Sequence, residues 1–408
     1  MNPFPPRSHA ACWPQPTAEV CARRIAFLRD EHVGYILSGI SHLSPGFVAL
    51  DASRPWLCYW MVHALDLLGH PLSAAQGDAF VDFLSRCQDH EGGGFAGGPV
   101  PGQSAHLAPT YAAVLALLSI GTKRAYAAID RPALRRFIVR MKTPGGGFCM
   151  HDDGECDVRG AYCALTVASL CDLLDDEISA GASAWISRCQ TYEGGFGATP
   201  GEEAHGGYTF CGLAALLILD EARAIDRHAL AYWLSQRQQP HNGGFEGRTN
   251  KLVDACYSFW QGASFPLLDA ALAAPTAAPT AAPTASPGCL LNARALLDYL
   301  MVCAQCGGGG LRDKPGRQRD YYHTCYGLSG LSVAATAVNA EPAPDAAPTD
   351  APAALPADWV SRLRPTNPLY NICADKVERA MAFFSAGVVP EHDADAGDTG
   401  TVRVEEGW

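Results

Sequence analysis

The chain of 408 residues has no apolar run long enough to cross a membrane. No apolar signal region follows its opening, Met1-Asn-Pro-Phe-Pro-Pro-Arg7. Positive charge is also scarce: 30 Lys and Arg stand against 42 Asp and Glu, a net charge of −12. That balance argues against nucleic acid or an anionic membrane as partner. Cysteine is plentiful at 16, but its placement does not read as a disulfide framework. Cys163, Cys171, Cys211 and Cys325 sit inside apolar helical segments, as buried free thiols do. A reducing, cytoplasmic compartment is expected.

A repeat fills most of the chain. A glycine-rich turn recurs five times, at Glu91-Gly-Gly-Gly-Phe95, Gly145-Gly-Gly-Phe148, Glu193-Gly-Gly-Phe196, Asn242-Gly-Gly-Phe245 and Gly307-Gly-Gly-Gly-Leu311. A tyrosine follows each after a polar loop and opens an apolar, small-residue helix: Tyr111, Tyr162, Tyr208, Tyr257 and Tyr326. A period near fifty residues predicts one helical hairpin per repeat. One hairpin cannot bury its own apolar face, so hairpins must stack or close on each other. Asp254, His323, His205 and Arg159 each lie three residues before their tyrosine, and His106 lies five before its own. Closed into a ring, the repeats would turn these polar residues toward one mouth.

Asp254, Cys256 and His323 offer a carboxylate, a thiolate and an imidazole. Three protein ligands with a fourth position open is how a catalytic zinc is held. Arg248 and Lys251 lie just upstream and supply fixed positive charge. Together they suggest a thiol nucleophile and an anionic leaving group. The plainer alternative is a capping Asp, a buried Cys and a core His.

These stretches resemble the β subunits of protein farnesyltransferases. The resemblance runs from about Leu50 to Ser385. It is carried by Leu50-Asp-Ala-Ser-Arg-Pro-Trp56-Leu-Cys-Tyr-Trp60, His106-Leu-Ala-Pro-Thr-Tyr111, Glu203-Ala-His205-Gly-Gly-Tyr208-Thr-Phe-Cys211, Gly247 to Trp260, and Asp313-Lys-Pro-Gly-Arg317 to Ser329. It implies an all-α fold, an (α/α)6 barrel of two concentric helical rings, in one catalytic domain spanning 1–385. Low-complexity inserts at 273–287 and 341–356 and an acidic, disordered tail at 386–408 are expected outside the site.

The resemblance also implies roles. Asp254, Cys256 and His323 would bind zinc, and Asp320 would orient His323. His205, Arg248, Lys251 and Tyr257 would hold the isoprenoid diphosphate, with magnesium near Asp313. Arg159, Tyr162, Tyr208, Cys211 and Trp260 would line the isoprenoid channel. Trp56, Trp60 and Tyr322 would face the peptide's aliphatic residue, and Trp56 with Tyr162 would set isoprenoid length. Ala52, Ser53, His106, Ala108 and Pro109 would read the last residue. Without the resemblance, all of these aromatics read as core. Arg317 stands where the family usually has Lys, which keeps the charge but changes its geometry. The implied reaction is transfer of farnesyl from farnesyl diphosphate to the cysteine of a C-terminal Cys-aliphatic-aliphatic-X (CaaX) tail. The implied partners are a farnesyltransferase α subunit, making a heterodimer, and CaaX-tailed substrate proteins. Trp56 and Asp313 argue against a geranylgeranyltransferase β subunit. The lack of an Asp-x-Asp-Asp run argues against a terpene cyclase. A binding module with no enzymatic role would not need the zinc triad.

Overall fold

The structure is a computed structural model that describes residues 26–89, 91–273, 290–340 and 363–386. Of the inserts expected at 273–287 and 341–356 and the tail expected at 386–408, residues 274–287, 341–356 and 387–408 lie outside the described residues; Ala273 ends the helix Ser264–Ala273 and Ala386 caps the helix Ala374–Ser385. Six inner helices pack side by side: Arg54–Leu67, Leu107–Ile120, Val158–Leu170, Gly206–Ile218, the broken pair Tyr257–Trp260 and Ser264–Ala273, and Tyr321–Ala340. The sixth packs against the first, so the ring closes. Each inner helix is backed by the outer helix that precedes it in the chain: Arg29–Ser41, Ala74–Ser85, Arg131–Met141, Ala182–Ser187, Arg227–Ser235 and Ala293–Tyr299. This is the expected α/α barrel. Spacing alone left an open solenoid possible.

Composition assigns each helix to its ring. Leu107–Ile120 reads LAPTYAAVLALLSI, and nearly all of it is buried, because an inner helix has neighbours on every side. Arg131–Met141 reads RPALRRFIVRM and buries only Ala133, Leu134, Phe137, Ile138 and Met141, a single face. Asp130 caps it by accepting the Ala133 N–H, satisfying one of the unpaired donors of a helix start.

The glycine turns are the joints. Gly93, Gly146, Gly194, Gly243 and Gly309 occupy the same phase and all have positive φ, between 78° and 106°. A Cβ on any of them would strike the backbone carbonyl of Ala133, Gly181, Ala229, Ala295 or Glu31 in turn. Each turn thus packs directly on the next outer helix or the residue leading into it, and the fifth reaches the first outer helix. Glycine is required there for both torsion and space. Two residues past each turn's Phe or Leu, a carbonyl clasps the previous inner helix. Arg54 N donates to Gly97 O (2.9 Å), Leu107 N to Met150 O (2.7 Å), Val158 N to Ala198 O (3.0 Å), Gly206 N to Gly247 O (2.7 Å) and Ala255 N to Asp313 O (2.9 Å). Among the described residues no single helix is long and apolar enough to cross a membrane.

Candidate active site

The clasps gather the inner helix starts at one mouth, and a side chain at or just before the start caps the second, third, fourth and sixth, while Asp254 caps the turn that leads into the fifth. His106 Nδ1 accepts from Ala108 N (3.0 Å), Asp157 from Arg159 N (2.8 Å), and His205 Nδ1 from Gly207 N (3.1 Å). Asp254 Oδ1 accepts from Cys256 N (2.8 Å), and Asp320 Oδ1 from His323 N (2.7 Å). The tyrosine spacing therefore needs a correction. Asp254 and His205 are equivalent caps, but His323 lies one turn further in, at the level of Tyr208 and Tyr257. Asp320 is the cap of its helix, and Asp157, rather than Arg159, is the cap of the third.

That offset is what brings Asp254, Cys256 and His323 together. Asp254 and Cys256 come from the fifth helix start and His323 from the sixth, and one donor atom from each lies within 4.8 Å of the others. Asp320 Oδ2 accepts the His323 Nδ1–H at 2.6 Å. The imidazole is thereby oriented with Nε2 toward the cluster. Nε2 is buried, lies 3.2 Å from Asp254 Oδ1, and has no aligned hydrogen-bond partner. Burial disfavours a charged His323, but the Asp254 and Asp320 carboxylates beside it outweigh that and raise its pKa. Burial likewise opposes the Asp254 charge, yet the neighbouring His323 and the bond from Cys256 N hold its pKa below the ordinary carboxylate range. Burial and the Asp254 charge push the Cys256 thiol well up. The donor set fits a divalent cation, which would supply the positive charge a proton supplies otherwise and permit the thiolate.

Asp313 sits against this cluster. Its carbonyl accepts from Ala255 N and from the Tyr299 hydroxyl (3.2 Å). Its Oδ2 pairs with Lys314, while Oδ1 is buried without a hydrogen-bond partner. On the other side, the His205 ring bonds Tyr257. Nδ1 of His205 is used as an acceptor, so in the neutral ring Nε2 carries the proton and donates to the Tyr257 oxygen at 2.9 Å. Burial, then the Arg248 charge, lowers the His205 pKa and favours that neutral form. The Tyr257 O–H is left free to donate to a ligand. Arg248 is paired with Glu203 at 2.8 Å, and Lys251 is exposed at the rim.

Beneath the mouth lies a cavity of about 310 Å³. Its lining includes Trp56, Ala108, Arg159, Tyr162, His205, Tyr208, Cys211, Tyr257, Trp260 and Tyr322. The Asp157 carboxylate holds the Arg159 guanidinium at 2.5 Å, and that guanidinium lies 5.7 Å from the Tyr208 ring centre. Trp56 in that lining is packed on Trp60 and on Tyr111, each 5.7 Å away between ring centres. Trp60 is not in the lining but backs Trp56 and meets Tyr322 edge-on. Trp260 Nε1 donates to the Tyr322 hydroxyl at 3.2 Å. Pro109 is buried in the first turn of its helix; Ala52 and Ser53 end the turn Pro45–Ser53, outside this lining. The His106 ring stands 5.2 Å from that of His151. Met150, Cys163 and Gly207 also line the cavity and were missed from sequence. Met150 had a signal: it holds the phase of Gly247 and Asp313, two residues past the turn's Phe or Leu.

The profile of the prenyltransferase alpha-alpha toroid domain matches residues 27–372. The class is therefore a prenyltransferase toroid. The chain is 40% identical to the protein farnesyltransferase subunit beta of Pisum sativum, over 93% of this chain and 99% of that one. It is 38% identical to the same subunit of Arabidopsis thaliana, over 87% and 82%. A Candida albicans protein geranylgeranyltransferase-I structure, complexed with GGPP, superposes with a TM-score of 0.68 at 22% identity, over 87% of this chain and 98% of that one, which supports the fold. The chain belongs to the protein farnesyltransferase β-subunit family.

Proposed function

We propose that this chain transfers a farnesyl group from farnesyl diphosphate to the cysteine thiol of C-terminal CaaX tails, as the catalytic β subunit of a heterodimer with an α subunit. One observation carries the reading. Three donors, Asp254, Cys256 and His323, converge within 4.8 Å at the mouth of an aromatic cavity. Three donors leave one position of a tetrahedral ion free for a substrate thiol. Zinc held there would deprotonate that thiol, whose ordinary pKa is about 8.5, and keep it in place. Magnesium beside the unpaired Asp313 Oδ1 would offset diphosphate charge.

The chain's own residues do the rest. In the transfer a bond forms between sulfur and C1 of the isoprenoid, and the bond from C1 to the diphosphate oxygen breaks. Charge develops on that oxygen. The Tyr257 O–H, freed by His205, donates to it, and Arg248 and Lys251 stand at the same rim. Donors already in place when charge appears lower the barrier without reorganising. Arg159, held by Asp157, adds a fixed cation to an otherwise apolar wall. Tyr208, Trp260 and Tyr162 exclude water from the chain of the isoprenoid.

Isoprenoid length is the sharpest test. Burying the five extra carbons of geranylgeranyl would favour binding at roughly 0.8 kcal/mol per CH₂. Only a filled volume rejects them. Trp56, a lining residue braced by Trp60 and Tyr111, is the bulk assigned to that role. Trp56→Thr is expected to raise kcat/KM for geranylgeranyl diphosphate relative to farnesyl diphosphate. The assay uses the chain co-purified with its α subunit. Equal use of both diphosphates by the wild type, or an unmoved ratio in the mutant, refutes the farnesyl assignment.

A further inference from the structure

We propose that Cys149 and Cys156 are a redox pair, closing to an intrachain disulfide by exchange with a small-molecule disulfide. Neither residue belongs to the site described above, and the pair follows from local geometry. Between the second glycine turn and the third inner helix, the chain makes a small hairpin. Cys149 and Cys156 face each other across it as an antiparallel pair. Met150 N donates to Glu155 O at 2.8 Å, one residue further in. Gly154 N donates to His151 O at 2.9 Å, and Asp153 takes a left-handed φ of 58° to turn the corner.

That bonding pattern makes the cysteines a pair that exchanges no hydrogen bonds of its own. At such positions Cα atoms stand about 4.5 Å apart and the side chains share a face. Disulfides span Cα separations of about 4.4–6.8 Å. The backbone is therefore already within range, near the short limit. A bond made there carries strain, and strained disulfides are the readily reduced ones.

The two thiols are also electrostatic neighbours. After burial, the neighbouring Cys149 thiol is the strongest influence on Cys156, whose pKa it helps push up to about 11. All thirteen described cysteines are free, and nine are buried. Cys149 and Cys156 are among the four that are only half-buried. A small disulfide can therefore reach them, while core thiols such as Cys171 and Cys325 are shut away.

The chemistry balances without a further reactant. The Cys149 thiolate attacks a sulfur of R–S–S–R and releases one RS⁻. The Cys156 thiol, giving its proton to that thiolate, displaces the second RS⁻ from the mixed disulfide. Two protein thiols lose two electrons and two protons, and the small disulfide becomes two R–SH. The bond would staple the hairpin whose Met150 lines the cavity and whose His151 stands against His106.

The test is disulfide mapping by mass spectrometry on the full chain, purified in whatever complex it forms in cells and equilibrated with mixtures of reduced and oxidised glutathione. Cys149 and Cys156 are expected in one linked peptide, lighter by two hydrogens, that dithiothreitol returns to two free thiols. In Cys156→Ser, with no second thiol to resolve it, Cys149 is expected to retain glutathione as a stable mixed disulfide. Both cysteines alkylated as free thiols in the most oxidising mixture would overturn the proposal. So would a wild-type Cys149 that keeps glutathione while Cys156 stays free.

Discussion

The two ends of the barrel are made from the same helices and behave as opposites. At the mouth, polar groups are held with one valence unspent: Nε2 of His323, Oδ1 of Asp313, the hydroxyl of Tyr257. At the floor, the segment after Leu363 crosses the barrel, and its carbonyls take up tyrosine hydroxyls of the inner helices. Tyr59 donates to Asn371 O (2.6 Å), Tyr111 to Tyr370 O (3.4 Å) and Tyr162 to Leu369 O (2.8 Å). Arg364 N donates to Leu67 O at the end of the first inner helix, and Lys376 reaches Ile120 O at the end of the second. A cavity of about 440 Å³ at this end is larger than the aromatic one. Its charges are largely spent on one another: Arg364 pairs with Asp66 and Asp375, and Arg124 with Asp78. Size does not mark the working end. Nor does an unpartnered atom by itself, since Nδ1 of His63, Oδ2 of Asp66 and Nδ2 of Asn371 are buried without a partner at the floor; the mouth differs because helix starts present free N–H groups and need capping side chains, and those side chains converge there and can turn outward to a ligand.

The largest expected effect comes from breaking the mouth. Cys256→Ala or His323→Ala should abolish metal binding and farnesyl transfer, exceeding the roughly 10–100-fold cost of losing an outer partner. Metal analysis and kinetics on a folded protein decide it; full zinc content in either variant would contradict the ligand assignment. Asp320→Asn leaves all three donors in place but weakens the grip on Nδ1, and should cost roughly 10–100-fold in metal affinity. A competition titration with a chelator measures this, and unchanged affinity would make Asp320 only a helix cap.

The floor should respond in stability. His63 is buried, stacked on Tyr59, with Nε2 3.2 Å from both Ser329 Oγ and Asn371 Oδ1. Burial lowers its pKa from the ordinary 6.5 to about 3. The unfolded chain therefore takes up this proton first. The stability from the neutral ring is complete above pH 6.5 and is lost as pH falls toward 3. The slope is about 1.4 kcal/mol per pH unit, so roughly 2 kcal/mol should disappear between pH 6.5 and 5. His63→Gln should flatten that part of the curve, as followed by denaturant unfolding; a slope matching the wild type would mean the ring is not buried neutral. The smallest effect is expected from Tyr59→Phe. It strands the Asn371 carbonyl and should cost about 1 kcal/mol, seen as a lower Tm. No change would mean that water replaces the hydroxyl.

The site was legible in the sequence to different depths. The glycine turns announced hairpins because only glycine tolerates a positive φ where the next carbonyl presses in. Asp254-x-Cys256 and His323 suggested a metal by residue type alone. Tyrosine spacing misjudged the level of His323, because the distance from cap to tyrosine is three residues in some repeats and five or six in others. Met150 stayed hidden because a methionine next to a glycine turn looks like core filling. The plugging segment had no signature, since its bonds to Tyr59, Tyr111 and Tyr162 join residues more than two hundred positions apart.

What the sequence determined alone is everything that depends on neighbours in the chain. It set the helical hairpins, the turns that only glycine allows, and the caps whose side chains are also the chemistry. Tertiary structure alone decided that the ring closes, with Gly309 against Glu31 and the sixth inner helix against the first. It also decided which end is open and which is filled. Those outcomes depend on how small rotations between hairpins add up around the ring, and no single repeat carries that sum.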